Sequence, residues 1–203
     1  MSWFSAVALL AGTGTAFAQQ APDALVKQVS NEVLEAARAD KSIQAGDVNK
    51  VMGLVETKVM PHVNFQRMTS SAVGRYWRQA TPEQQKRLQD EFKVLLVRTY
   101  AGALAQVREQ TVQLKPLRAA AGDTEVLVRT EIRGKGDPIQ LDYRMEKAGD
   151  AWKIYDVNVM GIWLVENYRG SFAQEISSGG IDGLITKLAE RNKAAAAGGA
   201  KKA

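Results

Sequence analysis

The 203-residue chain has no cysteine and one histidine, His62. The first absence removes disulfides, thiolate nucleophiles and sulfur-based zinc sites, so a fold of this size must be held by its core alone. A lone imidazole beside Pro61 leaves a histidine metal site or a Ser-His-Asp arrangement without its parts. Phosphate loops are missing too: "GKG" at Gly134 to Gly136 joins two strand-like runs and opens no helix, and "GTG" at Gly12 lies in the N-terminal apolar run. Net charge is +5, but the last eleven residues hold Lys193, Lys201 and Lys202 and no acid, which leaves +2 on the rest. Cations and anions are interspersed, with no basic stripe on any helix, so the electrostatic footprint of nucleic-acid binding is absent.

Long apolar runs are equally scarce. The one candidate, residues 1–18, ends in Ala16, Phe17 and Ala18 and reads as a secretory signal peptide cleaved after Ala18, although no Lys or Arg precedes it. Nothing later approaches a membrane span. The expected organisation is a signal peptide at 1–18, one domain at 19–192, and a disordered Ala/Gly/Lys tail at 193–203. Export fits a periplasmic location.

What is present begins with helices. Val26, Val29, Val33 and Ala37 recur at helical spacing, as do Val48, Val51, Met52, Val55 and Val59, with Pro61 ending the second run. A short helix opens near Asn64 and breaks around Gly74. Thr81, Pro82 and Gln84 form the clearest helix start, predicting a helix to about Val107. Leu88, Phe92, Leu95, Thr99 and Ala103 make one stripe on it, and Val94, Val97, Ala101 and Leu104 a second. Apolar residues on two sides predict a central helix covered on both.

The period then changes to two. Val126, Val128, Thr130 and Ile132 alternate with Leu127, Arg129, Glu131 and Arg133, and Ile139, Leu141, Tyr143 and Met145 alternate with Gln140, Asp142, Arg144 and Glu146. With "TVQLKPL" before and "AWKIYDVNV" after, these predict a four-stranded antiparallel meander, apolar on one face and charged on the other. In the last strand the alternation slips at Asp156, which places a carboxylate among Tyr155, Val157 and Val159. Val165, Tyr168, Phe172 and Ile176 then form a helical stripe, "SSGG" breaks it, and Ile181, Leu184, Ile185 and Leu188 make a final helix. Helices, four strands and helices again argue for an α+β fold with a curved sheet covered on one face.

Chemistry-bearing clusters are few. Asp142 and Glu146 share the charged face with Arg144, which reads as solvated; Asp156 reads as a hydrogen-bonded strand-end carboxylate. Bulk is concentrated instead: "WKIYDVNVMGIWLVENYRGSF", Trp152 to Phe172, holds five of the eleven aromatic residues that follow position 18. Trp163 lies off the Val165, Tyr168, Phe172 stripe, which suggests a pocket mouth or a contact surface.

Two long stretches resemble one family: "FQRMTSSAVGRYWRQATPEQQKRLQDEFKVLLVRTYAGAL", Phe65 to Leu104, and the Trp152 to Phe172 segment followed by "GGIDGLITKL". They are similar to the MlaC, or toluene-tolerance, family of periplasmic phospholipid carriers, with a departure at Trp163, where the family usually has Ser. The resemblance implies a monomeric carrier, not an enzyme, with an NTF2-like curved sheet and acyl chains in an apolar cavity between sheet and helices. It implies no cofactor, phospholipid as cargo, and two partners: an inner-membrane ABC complex with an MCE-domain ring and an outer-membrane lipoprotein–porin complex. On that reading the tail-lining residues are Phe92, Leu96 and Tyr100 from the long helix, Leu141, Tyr143 and Met145 from the sheet, and Ile154, Val157, Leu164 and Tyr168 from the aromatic segment. Arg169 is the candidate phosphate partner. Two other readings stay open: an NTF2-like enzyme on a small apolar ligand with Asp156 as general base, and an envelope adaptor docking around Trp163.

Overall fold

The computed structural model describes residues 20–199 apart from Ala121. The expected signal peptide lies outside the described residues. Helix α1 (Pro22–Ala39) starts with Pro22, whose missing N–H is no loss at that position. Helix α2 (Lys41–Gln44) is one turn, capped by the Asp40 carboxylate, and Asp47 caps α3 (Val48–Leu54) in the same way. The spacing over 48–59 predicts one regular helix. It is instead α-helical only to Leu54, widens into a π-helical stretch at Val55–Val59 and tightens into a 3₁₀ turn at Met60–His62, a change of pitch that apolar spacing does not record.

Asn64 accepts the Arg67 N–H at 3.0 Å and starts α4 (Phe65–Val73), which Gly74 ends with φ 67°. In α5 (Pro82–Ala105) the Thr81 hydroxyl accepts the Gln84 N–H and the Gln84 side chain accepts the Thr81 N–H, so two orphan donors are satisfied reciprocally.

The sheet has five antiparallel strands in sequence order: β1 (Thr111–Leu114), β2 (Glu125–Arg133), β3 (Ile139–Ala148), β4 (Ala151–Val159) and β5 (Ile162–Trp163). Four match the expected meander; the fifth is too short to produce an alternation. The pairs Val126–Met145, Val128–Tyr143, Thr130–Leu141 and Ile132–Ile139 bring one apolar face into register. On β4, Arg144 pairs with Asp156 but Met145 pairs with Ile154, so Tyr155 is an extra residue. This β-bulge is the phase slip seen in the sequence. It lets Ile154 and Val157, an odd number of residues apart, share the inner face, and it sends Asp156 and Asn158 to the outer one. The carbonyl of Ile154, on the free edge beside the bulge, accepts the Asn64 N–H at 2.8 Å.

Helix α6 (Leu164–Gly199) is broken at Gly180, whose φ of 70° and ψ of −173° lie outside helical space. The break falls within "SSGG", as expected. The second limb runs through residues 193–199, correcting the expected disorder there. Alanine is the best helix former, and Asn192 anchors the limb by donating to the Glu91 carbonyl at 2.9 Å and carboxylate at 2.7 Å.

Apolar side chains gather in three clusters. The first joins α4, α5 and α6 through Met68, Leu88, Phe92, Leu95, Tyr168 and Phe172. The second joins α1, α2, α3, the far half of α5 and β1 through Leu34, Ile43, Leu54, Val97 and Ala101. The third lays Leu25, Val26 and Val29 of α1 on Val126, Val128, Met145 and Ile154 of the sheet. Helix α5 is central, but its two sides are used in succession: Thr99 and Ala103 of the first stripe are exposed, while Val97, Ala101 and Leu104 pack in the second cluster.

Candidate functional site

The candidate lining residues do not form one wall. Phe92, Leu96 and Tyr168 belong to the helical cluster, Tyr143, Met145 and Ile154 to the sheet cluster, and half-buried Val157 touches both. Val63 also touches both, and Val33 joins the sheet cluster to the α1–α3 cluster. The three clusters therefore meet along a seam marked by Val33, Val63 and Val157. Phe92 and Met145 expose no surface, so side chains fill the interior at those points. Leu164 is buried at the start of α6, whereas Leu141 and Tyr100 are half-buried and lie outside all three clusters.

Aromatic packing fixes the helical side of the seam. Phe92 meets Tyr168 and Phe172 edge-on, with ring centroids 5.0 and 5.2 Å apart, and Phe65 at 5.8 Å; these tilted geometries set the electropositive ring edge against a neighbouring face. Burial pushes the Tyr100 phenol above its ordinary value. It does the same at Tyr143, whose hydroxyl sits beside those of Ser30 and Thr130. Both phenols stay neutral near pH 7, so the seam carries no charge from its tyrosines.

Arg169 is exposed and its Nε donates to the Ser71 carbonyl at 3.1 Å, tying α6 to α4. The contribution of α1 was missed at the level of sequence. Its stripe was visible, but an apolar stripe does not say what it packs against, and Leu25, Val26 and Val29 turn out to cover the sheet.

The outer face explains Asp156 and Trp163. Asp156 is 1 % exposed; its Oδ1 accepts the N–H of Val157 at 2.9 Å and of Val165 at 3.1 Å, and its Oδ2 meets Arg144 at 3.1 Å. Both oxygens are thus engaged in fastening the bulge to the first turn of α6. The Arg144 guanidinium also reaches Glu166 at 3.3 Å and stacks over the Trp163 ring at 3.9 Å. Trp163 is consequently half-buried under a cation, on the face away from the seam. Asp142, expected to be solvated, is buried opposite Arg129 and Asn158, with Gln140 donating to its Oδ2 at 2.7 Å.

Among the described residues no group of three or more His, Asp or Glu side chains is placed to hold a metal ion, and no helix is long and apolar enough to cross a membrane. Two shallow polar clefts lie elsewhere, one of about 400 Å³ beside the α6 break between Glu175, Asp182 and Glu190, the other of about 570 Å³ between α1, α2 and α3.

A five-stranded meander carpeted by helices, with an apolar seam between them, defines an α+β module whose resources are spent on burial of apolar surface. Comparison with known proteins gives that module a family. Residues 27–190 match the family described as MlaC protein. The chain is 27 % identical over 180 residues, 87 % of its length and 84 % of the relative's, to the intermembrane phospholipid transport system binding protein MlaC of Haemophilus influenzae. It is 28 % identical over 185 residues, 88 % of its length and 86 % of the relative's, to the toluene tolerance protein ttg2D of Pseudomonas putida. A solved phospholipid-binding protein from Ralstonia solanacearum, in complex with a phospholipid, is 50 % identical and superposes with a TM-score of 0.83 over 86 % of this chain and 98 % of that one. The chain belongs to the MlaC family.

Proposed function

We propose that this protein is a periplasmic phospholipid carrier that takes lipid between the outer-membrane lipoprotein–porin complex and the inner-membrane ABC complex with its MCE-domain ring. The observation that carries the reading is the half-identical Ralstonia relative, whose fold matches across nearly its whole length and which was solved with a phospholipid bound. The apolar seam supplies a physical reason. Two acyl chains carry roughly 30 methylenes, and at ~0.8 kcal/mol each their exposure would cost on the order of 24 kcal/mol, which forbids free passage through water. A carrier answers this with a dry, non-directional lining, which Leu96, Tyr100, Leu141, Tyr143, Val157 and Tyr168 provide; Phe92, Met145, Ile154 and Leu164 back them. Arg169, exposed on α6, is the phosphate partner in this reading.

The test is organic extraction of the purified mature protein followed by mass spectrometry. The expected result is about one phospholipid per chain, lost in Leu141→Glu, which sets a charge among the half-buried lining residues. A lipid-free monomer purified from a phospholipid-containing host would overturn the reading.

A further inference from the structure

Three of the four large apolar side chains exposed among the described residues sit in one corner of the sheet: Ile139 at 40 %, Met160 at 69 % and Ile162 at 56 %. The fourth, Leu127, lies across from Arg144 on the outer face. The corner is built by the β4–β5 turn. Val159 pairs with Ile162, which leaves Met160 and Gly161 as a two-residue loop, and both have positive φ, 52° and 92°. That is the backbone of a type I′ turn, for which Asn-Gly is the favoured pair.

Met160 is the one non-glycine with positive φ among the described residues. A left-handed backbone is disfavoured for a residue with a Cβ, and a long thioether held out in water adds nothing to the core. Two choices that each work against the folded state coincide at one residue, which marks it for a role outside folding.

The corner continues the inner face. From Ile139 and Ile162 the rows run through the Leu141–Val159 pair and the Tyr143–Val157 pair to Met145 and Ile154, and exposure falls along them until Met145 shows none. The polar groups of the turn are already engaged: Asn158 Oδ1 accepts the Gly161 N–H at 2.8 Å, and the Met160 N–H donates to the Gln140 carbonyl at 3.0 Å. A protein partner would expect about one hydrogen bond per 100–200 Å² of contact; this corner offers apolar surface with few free donors, which suits a hydrocarbon chain.

We propose that Ile139, Met160 and Ile162 form the portal at which acyl chains pass between a bilayer and the apolar seam. The proposal rests on the carrier reading and assigns it an entrance. The test is the rate at which the full mature protein moves fluorescent phosphatidylglycerol between protein-free vesicles of phosphatidylethanolamine and phosphatidylglycerol. Met160→Asn, Ile162→Thr and their combination are compared with Leu127→Thr. The portal predicts at least a fivefold slower transfer in the double variant, with the wild-type amount of extractable lipid and a Tm for Met160→Asn equal to or above wild type. Leu127→Thr leaves the rate unchanged. An unchanged rate in the double variant overturns the portal, as does a slowing matched by Leu127→Thr or one that tracks a loss of bound lipid. If the wild-type protein neither holds nor moves lipid, the carrier reading itself fails, a result distinct from all of these.

Discussion

Asp156 is a carboxylate enclosed by the handover from strand to helix. Burial pushes its pKa above the ordinary 3.8, outweighing the Val165 and Val157 N–H groups and Arg144, which pull it down. The native state therefore holds this proton more tightly than the unfolded chain does. The contribution to stability is full below about pH 4 and is lost as pH rises through the higher native value. Asp156→Asn removes that dependence while keeping an oxygen for the two N–H groups. Urea midpoints measured from pH 4 to 7 are expected to fall less steeply in the variant than in wild type; parallel slopes would refute the assignment. The sequence exposed the anomaly at Asp156 and the odd position of Trp163. It did not expose their connection, because Arg144 meets both only once a bulge has set the register of β4.

At the scale of elements, what repeats was legible and what is singular was not. Four strands, the capped start of α5 and the break in α6 each carry a local signature, whether alternation, Thr-Pro-x-Gln or a glycine pair. Helix α2 and strand β5 are too short for any period, and the π-helical stretch keeps its apolar spacing while changing pitch. The packing of α1 on the sheet depends on tertiary pairing that a helical stripe leaves open. Low complexity misled at the C-terminus, where a run of alanines continues a helix instead of ending it. The α6 break makes the sharpest test of an element. Gly180 sits at φ 70° and ψ −173° with open space around it, so a methyl group meets no neighbour and only the backbone objects. Gly180→Ala is expected to lower stability by about 1–3 kcal/mol, read as a lower Tm with unchanged far-UV circular dichroism at 20 °C; a neutral substitution would show that the break relaxes freely.

For the whole molecule the deciding feature is α5. Leu88, Phe92 and Leu95 belong to the cluster shared with α4 and α6, and Val97 and Ala101 to the cluster shared with α1, α2 and α3. Loss of α5 from either cluster strips the other of its wall, so far-UV circular dichroism and tryptophan fluorescence should report one coincident unfolding transition. Two separated transitions would mean that the clusters unfold independently. The same helix turns cargo binding into a property of the entire chain. Lipid held on one flank of α5 raises the cost of every opening that moves it, so amide hydrogens in α1 and α3, far from any acyl chain, are expected to exchange more slowly in the loaded protein. A carrier built this way announces its occupancy on surfaces that never touch the lipid.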